Sequence, residues 1–167
     1  MSRVLVLGWG NPGRGDDALG PMLLASLEAE AASHPDWREH GFLWDFQLQP
    51  EHTLDLDGAA QVLFVDASTR APAPYALTRV APARDRSFTT HALSPQALLS
   101  VREDIAGATA PEAWLLAIRG ERFELGAAMD AQAEARLAAA TRLARDLLSH
   151  PDPAYWDRAA EAPPCTN

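Results

Sequence analysis

Asp17, Asp66 and His91 are two carboxylates and an imidazole set at the ends of apolar runs, which is where a divalent-cation site can be assembled. Asp17 follows the run at residues 3–7 and the turn Gly8-Trp9-Gly10-Asn11-Pro12-Gly13-Arg14-Gly15-Asp16. Asp66 closes Gln61-Val62-Leu63-Phe64-Val65, and His91 stands just ahead of Ser94-Pro95, a pairing of N-cap and first-turn residues that starts helices. Two carboxylates and one imidazole with open coordination positions suit a borderline ion such as nickel or zinc. Each residue also has a plain structural reading: Asp16 or Asp17 as a helix cap, Asp66 as a turn residue, His91 as a loop hydrogen bonder. No serine sits in a G-x-S-x-G elbow, and Cys165, the single cysteine, lies in the C-terminal tail away from these motifs.

The elements that must position these groups are legible in the pattern. Residues 3–7 form a run that is apolar without alternation from Val4 to Leu7, which predicts a strand buried on both faces of a parallel sheet, and Leu19, Met22, Leu23 and Leu27 recur at helical spacing. This first helix is expected from near Asp17 to about residue 33, where His34-Pro35-Asp36 breaks it. Further strands are expected at 42–48, 61–66, 75–80 and 113–118, the fourth at an edge. Pro50 can open a short helix with Glu51 and His52 near its amino end, Pro95 a longer one with Leu98, Leu99, Val101 and Ile105, and a last helix spans about 130–149. Strands alternating with helices predict an α/β fold, a three-layer sandwich with a mostly parallel five-stranded sheet and helices on both faces. In such sheets the residues after the carboxyl ends of neighbouring strands converge on one edge, where ligands bind.

With 167 residues, 47% of them hydrophobic, the chain suits one core, read as a single α/β domain at 1–149 followed by a loosely ordered tail at 150–167 in which Tyr155 and Trp156 could dock. A formal net charge of -9 argues against nucleic-acid or anionic-membrane partners, which require clustered lysine and arginine. One cysteine excludes an intrachain disulfide, and there is no secretory or membrane-spanning run, so a cytoplasmic location is expected.

The segment from Gly8 to Gly20 resembles the N-terminal signature of the hydrogenase maturation endopeptidases, which remove the C-terminal extension from the large subunit of nickel–iron hydrogenases. Phe64-Val65-Asp66-Ala67 resembles the second acidic motif of that family, Thr90-His91-Ala92-Leu93-Ser94-Pro95 its histidine loop, and 120–126 a late loop of some members; Asp45-Phe46-Gln47-Leu48-Gln49-Pro50-Glu51-His52 resembles the branch serving soluble hydrogenases. The resemblance implies that Asp17, Asp66 and His91 contact nickel and carry the chemistry. It further implies that Gly8, Gly10, Asn11, Pro12, Gly13, Gly15, Asp16 and Asp45 line the approach of the substrate. In members where the ligand histidine follows the Ser-Pro pair, this chain has Gln96; His91 precedes the pair, as in other members. The partner implied is a nickel–iron hydrogenase large-subunit precursor that brings the nickel with it, zinc or another divalent ion substituting in isolated protein. With no serine or cysteine nucleophile, hydrolysis would use a metal-activated water or a metal-polarised carbonyl.

Two other readings compete. Gly8-x-Gly10-x-x-Gly13 after a strand also fits a dinucleotide-binding module, although Asp16 and Asp17 would repel a pyrophosphate at the helix start and Pro12 removes an amide donor. A non-catalytic, chaperone-like binding domain would instead grip a partner through an acidic surface and exposed aromatics such as Trp9, Trp37 and Trp156.

Overall fold

The computed structural model describes residues 3–84 and 93–164, so His91 and Cys165 lie outside the described residues. Five strands, β1 (Val4–Trp9), β2 (Gly41–Asp45), β3 (Gln61–Ser68), β4 (Tyr75–Val80) and β5 (Glu112–Arg119), form one sheet in the order β2-β1-β3-β5-β4. Every neighbouring pair is parallel except β4 with β5. The link from Ser68 to Tyr75 is too short for a crossover helix, so β4 runs back antiparallel, and β5 later fills the gap between it and β3.

The layers follow from the period-two alternation of the strands. Val4, Val6, Leu63, Val65, Trp114 and Leu116 face one layer, made by α1 (Leu19–Ala31), α3 (Ala131–Ser149) and α4 (Pro153–Glu161). Leu5, Leu7, Val62, Phe64 and Ala113 face the other, where α2 (Pro95–Ala106) contributes Leu98 and Leu99 and the loops contribute Leu48 and Leu56. Residues 4–7 and 62–65 are wholly buried, as the lack of alternation in those runs requires. The three-layer α/β sandwich expected from the sequence is therefore the one observed. Ser94 caps α2 by accepting the Ala97 amide N–H at 3.1 Å, and Asp130 caps α3 by accepting that of Ala133 at 2.9 Å.

Three expectations change. The first helix does not begin near Asp17: Gly15–Ala18 is a separate 3₁₀ turn, and α1 starts at Leu19. The second strand stops at Asp45, because Asp45 Oδ1 turns back to accept the Phe46 amide N–H at 2.6 Å and Pro50 then opens a 3₁₀ turn over Pro50–Thr53. The third correction concerns the tail. Residues 153–161 form α4, whose Trp156 is fully buried, meets Trp114 edge-on at 4.9 Å and donates its indole N–H to Leu147 O and His150 O. Asp157 accepts from both Trp114 Nε1 and Arg79, each at 3.0 Å, while Arg79 also lies 4.4 Å over the Trp114 ring. Asp152 caps this helix on the Tyr155 amide, and Pro153 occupies its first turn. A proline-rich composition reads as loose chain, yet here the prolines and Asp152 start a docked helix.

Candidate functional site

The site sits where β1, β2 and β3 end together. Trp9 lies opposite Asp45 in the β1–β2 register, and Gly8 lies opposite Val65, so Asp45, Trp9 and Asp66 fall in one row across the sheet. Alternation puts all three on the face of Leu7 and Phe64, and Trp9 packs edge-on against Phe64 at 6.1 Å. The Trp9 indole stands beside the Asp66 carboxylate, close enough to favour its charged form, so the bulky residue between two turn glycines covers the site.

Asp17 reaches the same place from the 3₁₀ turn. Its Oδ2 accepts the Asn11 amide N–H at 2.7 Å, which fixes the side chain across the glycine loop. Gly10 makes that closeness possible: at φ +149° it adopts a conformation side chains disfavour, and a Cβ there would lie 1.9 Å from the Asp17 carbonyl oxygen. Asp16, one residue earlier, points the other way. It is buried, and its Oδ2 accepts the amides of Glu121 at 2.8 Å and Arg122 at 3.2 Å. The two adjacent carboxylates thus divide their work: Asp16 fastens the turn to the 120–126 loop, and Asp17 faces the strand ends.

That late loop clamps the whole glycine turn. The Asp16 amide donates to Arg122 O at 2.7 Å, the Gly126 amide to Gly13 O at 2.8 Å, and Arg14 Nε to Phe123 O at 3.2 Å. Gly15, at φ +55°, leaves only 2.3 Å between its would-be Cβ and the Arg122 carbonyl oxygen, so the two loops meet backbone to backbone.

The electrostatics single out Asp66. Burial pushes its carboxyl from the usual 3.8 up to about 7; the Ala67 amide, donating to Oδ1 at 2.8 Å, and the Trp9 indole oppose the rise, and the charge of nearby Asp17 adds to it. Among the described residues no lysine or arginine pairs with either Asp17 or Asp66. Two neighbouring carboxylates with unbalanced charge, one holding its proton near neutrality, form a donor set that a divalent cation would satisfy by displacing that proton. No group of three metal-ligating residues is assembled among the described residues, His91 being outside them.

An acid–imidazole pair flanks the row. His52 Nδ1 accepts the Gln49 amide N–H at 2.8 Å, which places the ring proton on Nε2, 3.3 Å from Asp45 Oδ2. The Asp45 carbonyl in turn accepts the Gly10 amide N–H at 3.0 Å, tying this pair to the glycine loop. The partnership of His52 with Asp45 was not foreseen from the sequence; the available signal was His52 three residues after Gln49, the spacing of a reciprocal helix cap. A cavity of about 300 Å³ lined by Tyr75, Tyr155 and Arg158 lies beneath α3 and α4, on the opposite face of the sheet from Asp66.

The alternatives fare poorly against this geometry. A dinucleotide would need free loop amides, but those of Gly10, Asn11, Gly13, Arg14, Asp16 and Asp17 already donate to Asp45, Asp17, Asn11, Asn11, Arg122 and Arg14. The phosphate cradle is filled by the protein itself. Of the aromatics expected to be exposed for partner binding, Trp37 and Trp156 are buried and Trp9 is half-buried against Asp66.

No protein-family model matches the sequence, and no curated protein matches it. Solved structures do. The hydrogenase maturating endopeptidase HybD from E. coli superposes with a TM-score of 0.66 at 21% identity, covering 89% of this chain and 93% of that one. The [NiFe] hydrogenase maturation protease HycI from Thermococcus kodakarensis gives 0.65 at 20% identity, again covering 89% and 93%. A hydrogenase 2 maturation peptidase from a Thaumarchaeota archaeon gives 0.61 at 22% identity, covering 89% and 99%. The chain therefore shares, over nearly its whole length, the α/β fold of the hydrogenase maturation endopeptidases.

Proposed function

We propose that this protein is an endopeptidase that removes the C-terminal extension of a nickel–iron hydrogenase large-subunit precursor after nickel has been inserted. The observation that carries the reading is the nearness of Asp17 to Asp66 at the strand ends, with no cationic partner among the described residues, in a fold shared with maturation endopeptidases. The nickel belongs to the precursor and arrives with it, and zinc or another divalent ion would take its place on the isolated protein. Asp17 and Asp66 are the groups that would hold the ion, with His91 as the third donor implied by the sequence resemblance. A divalent ion so held polarises a peptide carbonyl or lowers the pKa of a water.

The protein's own contribution is positioning and proton management. Asp17 is oriented by the Asn11 amide, and Asp66 by the Ala67 amide and the Trp9 indole. Asp66, whose carboxyl is pushed up to about 7, still holds part of its proton near neutral pH and gives it up as a cation binds, so the empty pair repels less than two full carboxylates would. Of the loop Gly8, Gly10, Asn11, Pro12, Gly13 and Gly15, the glycines at 8, 10 and 15 are packed against Leu24, the Asp17 carbonyl and the Arg122 carbonyl, so they hold the loop in the shape that presents Asp17, and the exposed Pro12 and Gly13 are left to border the approach of an extended chain. Asp45, held by His52, borders that approach.

Intact-mass measurement tests the proposal. A nickel-loaded precursor mixed with the protein is expected to lose its C-terminal peptide, and Asp66→Asn to fold normally but leave the precursor uncut. Normal processing by Asp66→Asn would remove Asp66 from the mechanism. Association with the precursor without loss of mass would instead favour a chaperone-like binding domain.

A further inference from the structure

We propose that the open edge of β2 is the track on which an extended peptide, apolar and basic in character, docks by strand addition before reaching Asp17 and Asp66. This deepens the peptide-processing reading above and rests on it for the identity of the peptide's owner.

The two edges of the sheet are treated differently. At the β4 edge Arg79 is held by Asp157 at 3.0 Å and Glu112 at 3.2 Å, and α4 packs against the strand. At the other edge β2 pairs only with β1 among the described residues, and Gly41-Phe42-Leu43-Trp44-Asp45-Phe46 contains neither lysine nor proline, the usual protections of an edge. Its outer part is instead apolar and exposed: Leu43 is 39%, Trp44 42% and Phe46 60% accessible, with the Trp44 and Phe46 rings 6.2 Å apart. An unpaired backbone edge beside alternate apolar side chains is the surface that strand addition requires, the main chain supplying affinity and the side chains selectivity.

Two features choose the occupant. The strand leads into the site: Asp45 lies beside Trp9 and its carbonyl accepts the Gly10 amide, while Trp9 is level with Asp66 in the β1–β3 register, so a chain laid along β2 runs onto the row of candidate residues. The charges near the strand's exit are of one sign: Asp45 and Glu51 are acidic and the chain has no lysine or arginine between Arg38 and Arg70, whereas Asp57 is paired with Arg102 and Arg3 stands against Gly41 at the strand's start, donating to the Asp57 carbonyl. This favours a peptide carrying cations between its apolar residues and disfavours pairing with the same acidic edge of a second copy.

The test uses the full-length protein with isotope-labelled backbone and a short acetylated peptide alternating valine and lysine. That peptide is expected to protect the amides of 41–46 from hydrogen exchange. Its affinity is expected to fall at least about tenfold when lysine is replaced by glutamate. An N-methylated version, which keeps the side chains but cannot donate from its backbone, is expected not to bind. The Trp44→Ala/Phe46→Ala variant, altered only at exposed positions, is expected to lose about tenfold in affinity and to raise KM for the precursor with kcat unchanged. Equal binding of the N-methylated peptide, protection confined to other residues, or dimerisation of the free protein through β2 would overturn the proposal. Failure of the wild type to cut the precursor while the peptide still protects 41–46 would overturn only the endopeptidase reading. Processing with an unaltered KM in the double variant would overturn only the edge.

Discussion

Asp66→Asn should make the protein more stable at neutral pH while leaving it inactive. The reason lies in where the carboxyl sits. In the unfolded chain Asp66 ionises near 3.8, whereas in the folded protein burial and the charge of Asp17 move it to about 7. The folded state therefore binds the Asp66 proton more tightly than the unfolded state does. The stability this confers is fully present below pH 4, declines as pH rises from 4 toward 7, and is gone above 7. At 1.36 kcal/mol per pH unit, the displacement from 3.8 to about 7 corresponds to about 4 kcal/mol at most. Asparagine preserves shape and can still accept from the Ala67 amide through its Oδ1, but it cannot ionise. The assay is urea unfolding of wild type and Asp66→Asn across pH 4 to 8, in chelator so that no cation neutralises the site. Taking the difference between the two proteins cancels every other titration. The wild type is expected to lose up to about 4 kcal/mol relative to the variant across this range, with most of the change between pH 4 and 7. Parallel profiles would refute both the burial argument and the claim that Asp66 carries uncompensated charge.

Two further substitutions separate neighbouring roles. Asp16→Asn, at the buried residue whose carboxylate accepts the Glu121 and Arg122 amides, should cost about 1–3 kcal/mol by urea titration; Asp17→Asn, by contrast, should change stability little and abolish precursor processing, so equal destabilisation by both would remove the division of labour. Trp156→Ala should cost about 3–5 kcal/mol and lower the melting temperature, because the indole is fully buried against Trp114; an unchanged melting temperature would show that α4 is not docked in solution.

The shared fold matters for function through one property: parallel strands end together. In the order β2-β1-β3 the carboxyl ends of three strands bring Asp45, Trp9 and Asp66 into a row, and the turn after β1 folds Asp17 over it. The late loop at 120–126 then fixes that turn from a point more than a hundred residues along the chain. A change in the 120–126 backbone is thus felt at the glycine turn.

What the sequence determined by itself was whatever depends on local pattern. Unbroken apolar runs at 4–7 and 62–65 required strands buried on both faces, and Ser94-Pro95 and Asp130 marked helix starts by their own capping chemistry. Asp17 and Asp66 could be nominated as a pair because strand ends in parallel sheets converge. What tertiary structure alone decided was every choice between chemically equivalent neighbours. Asp16 and Asp17 are identical side chains, and only the 120–126 loop, distant in sequence, turns one into a fastening and leaves the other at the site. The glycines looked like a phosphate cradle until the loop amides were seen to be taken by Asp45, Asp17, Asn11, Arg14 and Arg122. Trp156 read as an exposed aromatic of a loose tail and Trp44 as part of a strand, yet the first is sealed against Trp114 and the second lies open on an edge strand. Composition cannot distinguish them, because burial is set by which element packs on which, and that follows from strand order rather than from the residues on either side.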